Sequence, residues 1–228
     1  MSRWTGDDFV NNVRRGLGNP PKSKYTDTQI LGYVNKAAND VIGRIIAEKR
    51  IIPELYETSS ETVASGTANV DMTPSDIVRI LFCQLSSNGD VLTSIDDKRH
   101  AKQNQSSTAQ TGTPRKYFEN GKGIYNTIIL TLFPVPDADD TLVVHYMEEL
   151  PAITQDPSAT SFVLKRVPYD SLIFSVALEQ MLRLDGQRAE AQDEESKQGY
   201  LWKMAYDLCP LMEDLIPQIP DAVRWMRK

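Results

Sequence analysis

Residues 112–151, GTPRKYFENGKGIYNTIILTLFPVPDADDTLVVHYMEELP, set the tightest limit on the fold. Strand-like runs recur there between turn signals, and the stretch lies between two long segments of helical period. Helices repeat every 3.6 residues and strands every two, so the two textures belong to different elements. The sequence therefore predicts an α+β chain: a discontinuous helical bundle domain from both chain ends, an inserted antiparallel β-rich domain, and a C-terminal tail. Expected boundaries are 1–50 and 160–210 for the helical part, 51–159 for the insert and 211–228 for the tail.

The helical segments carry their own punctuation. Phe9, Val10, Val13 and Leu17 recur at helical spacing, with Asp7 and Asp8 in the first turn and Gly18 after the last. Thr26 opens a capping box with Gln29 ahead of Ile30, Val34, Ala37, Ala38, Val41, Ile42, Ile45 and Ile46. This predicts a helix of about 24 residues and about 36 Å, with Lys49 and Arg50 at the negative end of its dipole. From Pro168, the residues Leu172, Ile173, Val176, Ala177, Met181 and Leu184 point inward, and Gly186 stops the helix. A fourth run has a charged front, QRAEAQDEESKQ, and a stripe of Tyr200, Leu201, Met204, Ala205, Leu208, Met212 and Leu215, with Pro210 ending or kinking it.

Between them, Ile77–Leu85 reads as a nearly unbroken apolar strand, and Asn88-Gly89 turns it back into DVLTSI. Residues 95–110 are polar and are expected to be an exposed excursion. Asn120-Gly121 is expected to turn RKYFE into IYNTIILTLF, which ends at Pro134 and Pro136. Asp137–Asp140 then turn into TLVVHYMEE, completing an antiparallel meander.

Composition narrows the function. The 228 residues are 40% hydrophobic and 25% charged, which suits a globular protein with a real core. A formal net charge of -6 argues against a chain whose main work is gripping phosphates. Cys83 and Cys209 read as small buried residues in a reducing compartment. No stretch reaches the roughly 18 apolar residues of a membrane span, and the first residues show no secretory pattern, so no membrane partner is expected.

Reactive constellations are not visible. The two histidines, His100 and His145, sit in a polar stretch and a strand, and no GxSxG motif is present. His145 and Glu148 imitate a metal pair, yet residues three apart on a strand face opposite sides. The pairs Asp7-Asp8, Asp96-Asp97, Asp139-Asp140 and Glu148-Glu149 fit helix starts and turns. Gly121-Lys122-Gly123 lacks phosphate-loop spacing. No catalytic residue, metal or cofactor is assigned, and the chain is expected not to be an enzyme. Two alternatives stay open. One is a nucleic-acid-binding packaging or regulatory protein using Lys98, Arg99, Lys102, Arg115 and Lys116, with Tyr117 and Phe118 for stacking. The other is a carboxylate-dependent hydrolase whose acids meet only in the fold. The clearest positive feature is terminal: Arg224, Trp225, Met226 and Arg227 have the composition of an interface anchor, and Pro217 and Pro220 favour an extended reach toward another chain.

Order and texture over most of the chain resemble the head-to-tail adaptor (connector) proteins of tailed bacteriophages. The likeness rests on YTDTQILGYVNKAANDVIGRI and on VPYDSLIFSVALEQMLRLDG followed by ESKQGYLWKMAYDL. It rests also on the succession Pro114, Tyr117, Pro134, Pro136, Asp137, Tyr146 and Pro151. The resemblance implies a structural virion protein of the neck, assembled in the host cytoplasm as a twelvefold homo-oligomer ring. Such a ring docks on the portal protein, extends the DNA channel and offers a platform to tail or nozzle proteins. DNA would pass without specific binding, consistent with the acidic balance.

Overall fold

The computed structural model describes residues 4–74, 76–95, 110–122, 128–155 and 167–212. Among the described residues four α-helices and seven β-strands make the chain α+β. It divides into two compact units: one runs up to Leu55 and resumes from Leu150 to Met212, and the other holds Tyr56–Glu149.

In the first unit, α1 (Gly6–Gly16) starts at a capping box in which Thr5 and Asp8 satisfy each other's backbone donors. The same device, Thr26 with Gln29, opens α2 (Asp27–Ala47). Helix α2 stops at 21 residues, shorter than the periodicity predicts, because Lys49 takes a left-handed backbone (φ 56°) just beyond it. Arg50 consequently does not serve the α2 dipole. It crosses to the end of the last helix, where its Nη1 donates to the carbonyls of Tyr206 and Cys209, each at 2.8 Å. The Tyr206 carbonyl also accepts the Cys209 N–H at 3.1 Å, and a cation at this helix end adds hydrogen bonds to both carbonyls and meets the negative end of the dipole.

Helices α3 (Val167–Leu184) and α4 (Arg188–Leu208) form an antiparallel pair around the turn at Gly186, whose φ is +76°. Leu172, Ile173, Val176, Ala177 and Met181 join Phe9, Val13, Ile30, Val34 and Ile45 in one core. Two inward assignments are overturned. Leu184 is 61% exposed, since it ends α3 where the chain swings into the turn, and Tyr200 is 69% exposed on the outer side of α4. The stripe that α4 buries is Ala191, Glu194, Gln198, Trp202 and Ala205. Polar members are tolerated because α3 supplies partners: Ser175 donates to Glu194 at 2.8 Å, and Gln198 donates to Glu179 at 2.9 Å. Pro210 follows directly on the end of α4.

The second unit is a seven-stranded sheet with strands β1 (Tyr56–Val63), β2 (Asn69–Asp71), β3 (Ile77–Leu85), β4 (Val91–Ser94), β5 (Lys116–Lys122), β6 (Ile128–Phe133) and β7 (Asp140–Glu148). Their order is β1-β7-β3-β4-β5-β6-β2. The edge strands β1 and β2 approach each other, leaving the sheet nearly closed around Val63, Met72, Cys83, Leu85, Tyr117, Leu130, Leu132, Leu142 and Val144.

This is not the expected meander. Strands β4 and β5 pair in parallel, Thr93 opposite Lys116, and β7 inserts between β1 and β3. A parallel pair needs a crossover of a dozen residues or more, and the polar excursion supplies that length, although 96–109 lie outside the described residues. The Asn88-Gly89 turn does join β3 to β4, with Gly89 at φ +70°. Asn120-Gly121 does not turn the chain. Both lie inside β5, where three steps from Glu119 to Lys122 oppose two steps on β6, a bulge that takes up one extra residue.

Candidate interaction surfaces

The residues singled out for chemistry are dispersed. His145, on β7, stacks on Phe82 with ring centroids 4.0 Å apart and shares a hydrogen bond with the Tyr56 hydroxyl at 2.6 Å. Burial holds its pKa below the ordinary histidine value. Glu148 faces other company: burial, then the charges of Glu57 and Asp76, push its carboxyl pKa up. Among the described residues no group of three or more His, Cys, Asp or Glu is arranged to hold a metal ion.

Asp96 and Asp97 lie outside the described residues, and three other acids of the adjacent pairs serve the fold. Asp8 completes a helix cap, and Asp139 accepts the Ser65 backbone N–H at 2.8 Å. Asp140 accepts from Ser87 Oγ at 2.6 Å; burial opposes ionisation, but hydrogen bonds from Ser87 and Thr141 keep its carboxyl below the ordinary range. Both cysteines are buried and neither is in a disulfide; Cys209 Sγ shares a hydrogen bond with the Tyr169 hydroxyl at 2.9 Å, and burial pushes the Cys83 thiol pKa up, away from reactivity. The proline succession builds corners. The turn after β1 is clasped by the chain after β6: Gly66 N–H donates to Pro136 O at 2.8 Å, and Ser65 Oγ donates to Asp137 O at 2.9 Å.

Arg115 and Lys116 are exposed at the entry to β5, but Tyr117 and Phe118 do not accompany them outward. Tyr117 is 2% exposed in the sheet core, and Phe118 packs with Phe133. The aromatic half of a nucleic-acid surface is therefore spent on folding. Lys98, Arg99, Lys102 and the anchor Arg224, Trp225, Met226 and Arg227 lie outside the described residues.

What stands at the surface is suited to other chains. On α2, Gly32 and Gly43 occupy exposed positions with nothing within 4 Å of a built Cβ. They are eleven residues apart, three helical turns, so they share one outer face. On α4, exposed Gly199 and Tyr200 stand side by side. On β1, pairing among the described residues is to β7 alone, and no backbone hydrogen bond is made along its other edge from Tyr56 to Ser60. Periodicity could not find these features, since outward glycines and free edges carry no apolar signal.

The family described as SU10 adaptor protein matches residues 4–219, spanning both compact units. The chain belongs to the SU10 adaptor protein family. No curated protein matches it. Membership makes it a bacteriophage adaptor with a structural role, in agreement with the resemblance read from its helices and proline corners. Among the described residues no helix is long and apolar enough to cross a membrane.

Proposed function

We propose that this SU10-family adaptor works as a ring beneath the portal, extending the DNA channel and presenting a platform for tail or nozzle proteins in the neck of the virion. In this reading the two-ended helical part forms the ring, the β-rich insert of residues 51–159 faces the tail or neighbouring copies, and the segment 211–228 docks on the portal. The observation that carries it is the family match over residues 4–219. The outer face of α2 supports lateral packing: an interior helical glycine costs about 0.5–1 kcal/mol against alanine, and among the described residues nothing lies within 4 Å of a Cβ built at Gly32 or Gly43. A close neighbour would offset that cost. Twelve copies would repeat each modest contact twelve times, making the closed ring persistent although a single interface is weak. A net charge of -6 suits a wall that DNA slides past.

The segment Arg224, Trp225, Met226 and Arg227 is the proposed anchor, its planar cations and large apolar areas being the residue types of interface hot spots. Negative-stain imaging of the purified protein alone and mixed with portal tests the ring. Ring-shaped particles capping the portal are expected, and persistent single particles with no portal complex would overturn it. Removing residues 217–228 is expected to leave the fold intact while weakening portal attachment, read by co-sedimentation.

A further inference from the structure

Two outward stripes of the helical unit match each other. We infer that α4 of one copy packs antiparallel on α2 of the next, with Asp207 against Lys36, Lys203 against Asp40 and Tyr200 over Gly43. This rests on the proposal that copies join into a ring through their helical parts, and it names the two surfaces that meet and their register.

The match starts from spacing. On α2 the positions 36, 40, 43 and 47 advance in steps of 4, 3 and 4, and all four are exposed. On α4, counted backwards, 207, 203, 200 and 196 advance by the same steps, and these are exposed as well. Steps of three and four keep to one side of a helix, and they are the steps of a seam between two packed helices. Laid antiparallel in that register, each position finds a complement. Lys36 meets Asp207 and Asp40 meets Lys203, so the order of charge on one stripe is reversed on the other. Gly43 leaves open space beside the backbone, with nothing within 4 Å of a built Cβ among the described residues, and Tyr200, 69% exposed, has the side chain to fill it. Ala47 meets Ser196, two small residues that let the axes stay close. The seam runs for about 16 Å.

One copy cannot join its own two stripes. Val34, Val41 and Ile45 on α2 and Ala191, Trp202 and Ala205 on α4 enter a single core, so the opposite sides of both helices point away from it. Asp40 accepts from Gln180 Nε2 at 2.9 Å, and a carboxylate has room for a further donor. Running the helices parallel through the same Tyr200–Gly43 contact sets Asp193 against Lys36 but Lys197 against Asp40, and Lys197 is already held by Glu194 at 2.8 Å. The antiparallel seam is therefore the better match. Because the two faces are unlike, each added copy leaves one of each to be filled, which is the condition for growth to a closed ring.

Sedimentation velocity of the full chain, alone and with portal, tests the seam. Lys36→Asp and Asp207→Lys are each expected to weaken self-association at least about tenfold, since like charges then face each other, with thermal unfolding unchanged because both positions are exposed. Mixing the two variants should restore assembly, as the reversed α2 stripe of one copy meets the reversed α4 stripe of the other. Asp40→Lys and Lys203→Asp form a second pair expected to behave in the same way. Assembly untouched by these reversals overturns the seam and leaves the ring standing, whereas an unaltered chain that stays single with and without portal overturns both. Loss in each variant with no rescue in the mixture, or rescue of Lys36→Asp by Asp193→Lys instead, overturns the antiparallel register. Rescue that stops at closed pairs of copies keeps the seam and sinks the ring.

Discussion

The helical unit and the β unit were written into the sequence in different ways. Each helix carries its own start, stop and inward face within some twenty residues, as α2 does from Thr26 to Ala47. The β unit obtains its partners from afar: β7 reaches back about 85 residues to lie beside β1, and β2 pairs with β6. Local stereochemistry decides the first, and only the closing of distant loops decides the second.

Several measurements would sharpen or break that contrast. The largest effect is expected in the β unit, where Leu132, fully buried, lines the closed side of the sheet. Leu132→Ala should cost about 3 kcal/mol or more in urea unfolding, with amides of β5 and β6 losing protection first; a cost below about 1 kcal/mol would deny the sheet its single core. In the helical unit, a Cβ at Gly6 would stand 2.0 Å from the Thr154 carbonyl oxygen, whereas one at Gly32 meets nothing. Gly6→Ala should therefore destabilise by about 2–3 kcal/mol, while Gly32→Ala in the isolated subunit gains about 0.5–1 kcal/mol. The same Gly32 change should hinder ring formation, which sedimentation velocity would read. Arg50→Met removes two hydrogen bonds from the end of α4, for a loss of about 1–2 kcal/mol. Thr26→Ala, which breaks a cap, is expected to cost about 1 kcal/mol in thermal unfolding.

The smallest effect concerns acid. His145 has a folded pKa below its ordinary 6.5, so the unfolded chain binds its proton first; the associated stability is complete above about pH 6.5 and is lost as pH falls through the folded value. Asp27 has its pKa lowered by Lys22 and Arg14, so its contribution is complete above the ordinary carboxylate range and is lost only as pH falls through the still lower folded value. Protection in the β unit should thus begin to decline at a higher pH than protection around α1 and α2. Glu148, with its pKa raised, works the other way in the carboxylate range. His145→Gln should remove most of the first decline; an unchanged pH profile in hydrogen exchange would break this part of the comparison.

Legibility followed the same division. The capping box at Thr26 and the inward faces of α1 and α2 could be read directly, because a helix writes burial into spacing. The face of α4 could not: Glu194 and Gln198 look solvent-bound until Ser175 and Glu179 are placed beside them, and Tyr200 looks buried until the stripe rotates away from it. In the β unit the strands around Asn88-Gly89 were visible, since that turn is local. The parallel match of β4 with β5 was not, and Asn120-Gly121 misled because a strand bulge and a hairpin draw on the same residue types. The candidate surfaces were the least legible part, as an outward glycine or a free backbone edge is defined by what fails to touch it.

Arg50, held by carbonyls more than 150 residues further along, has a consequence for how the molecule is made. A ribosome delivers α1 and α2 first, yet the helices that complete their core, and the carbonyls that Arg50 grips, follow only after the whole of β1 to β7. The sheet has all its strands on hand while its helical companion is still half written. Birth order inverts reading order: the middle of this polypeptide can mature first, and its beginning must wait for its end.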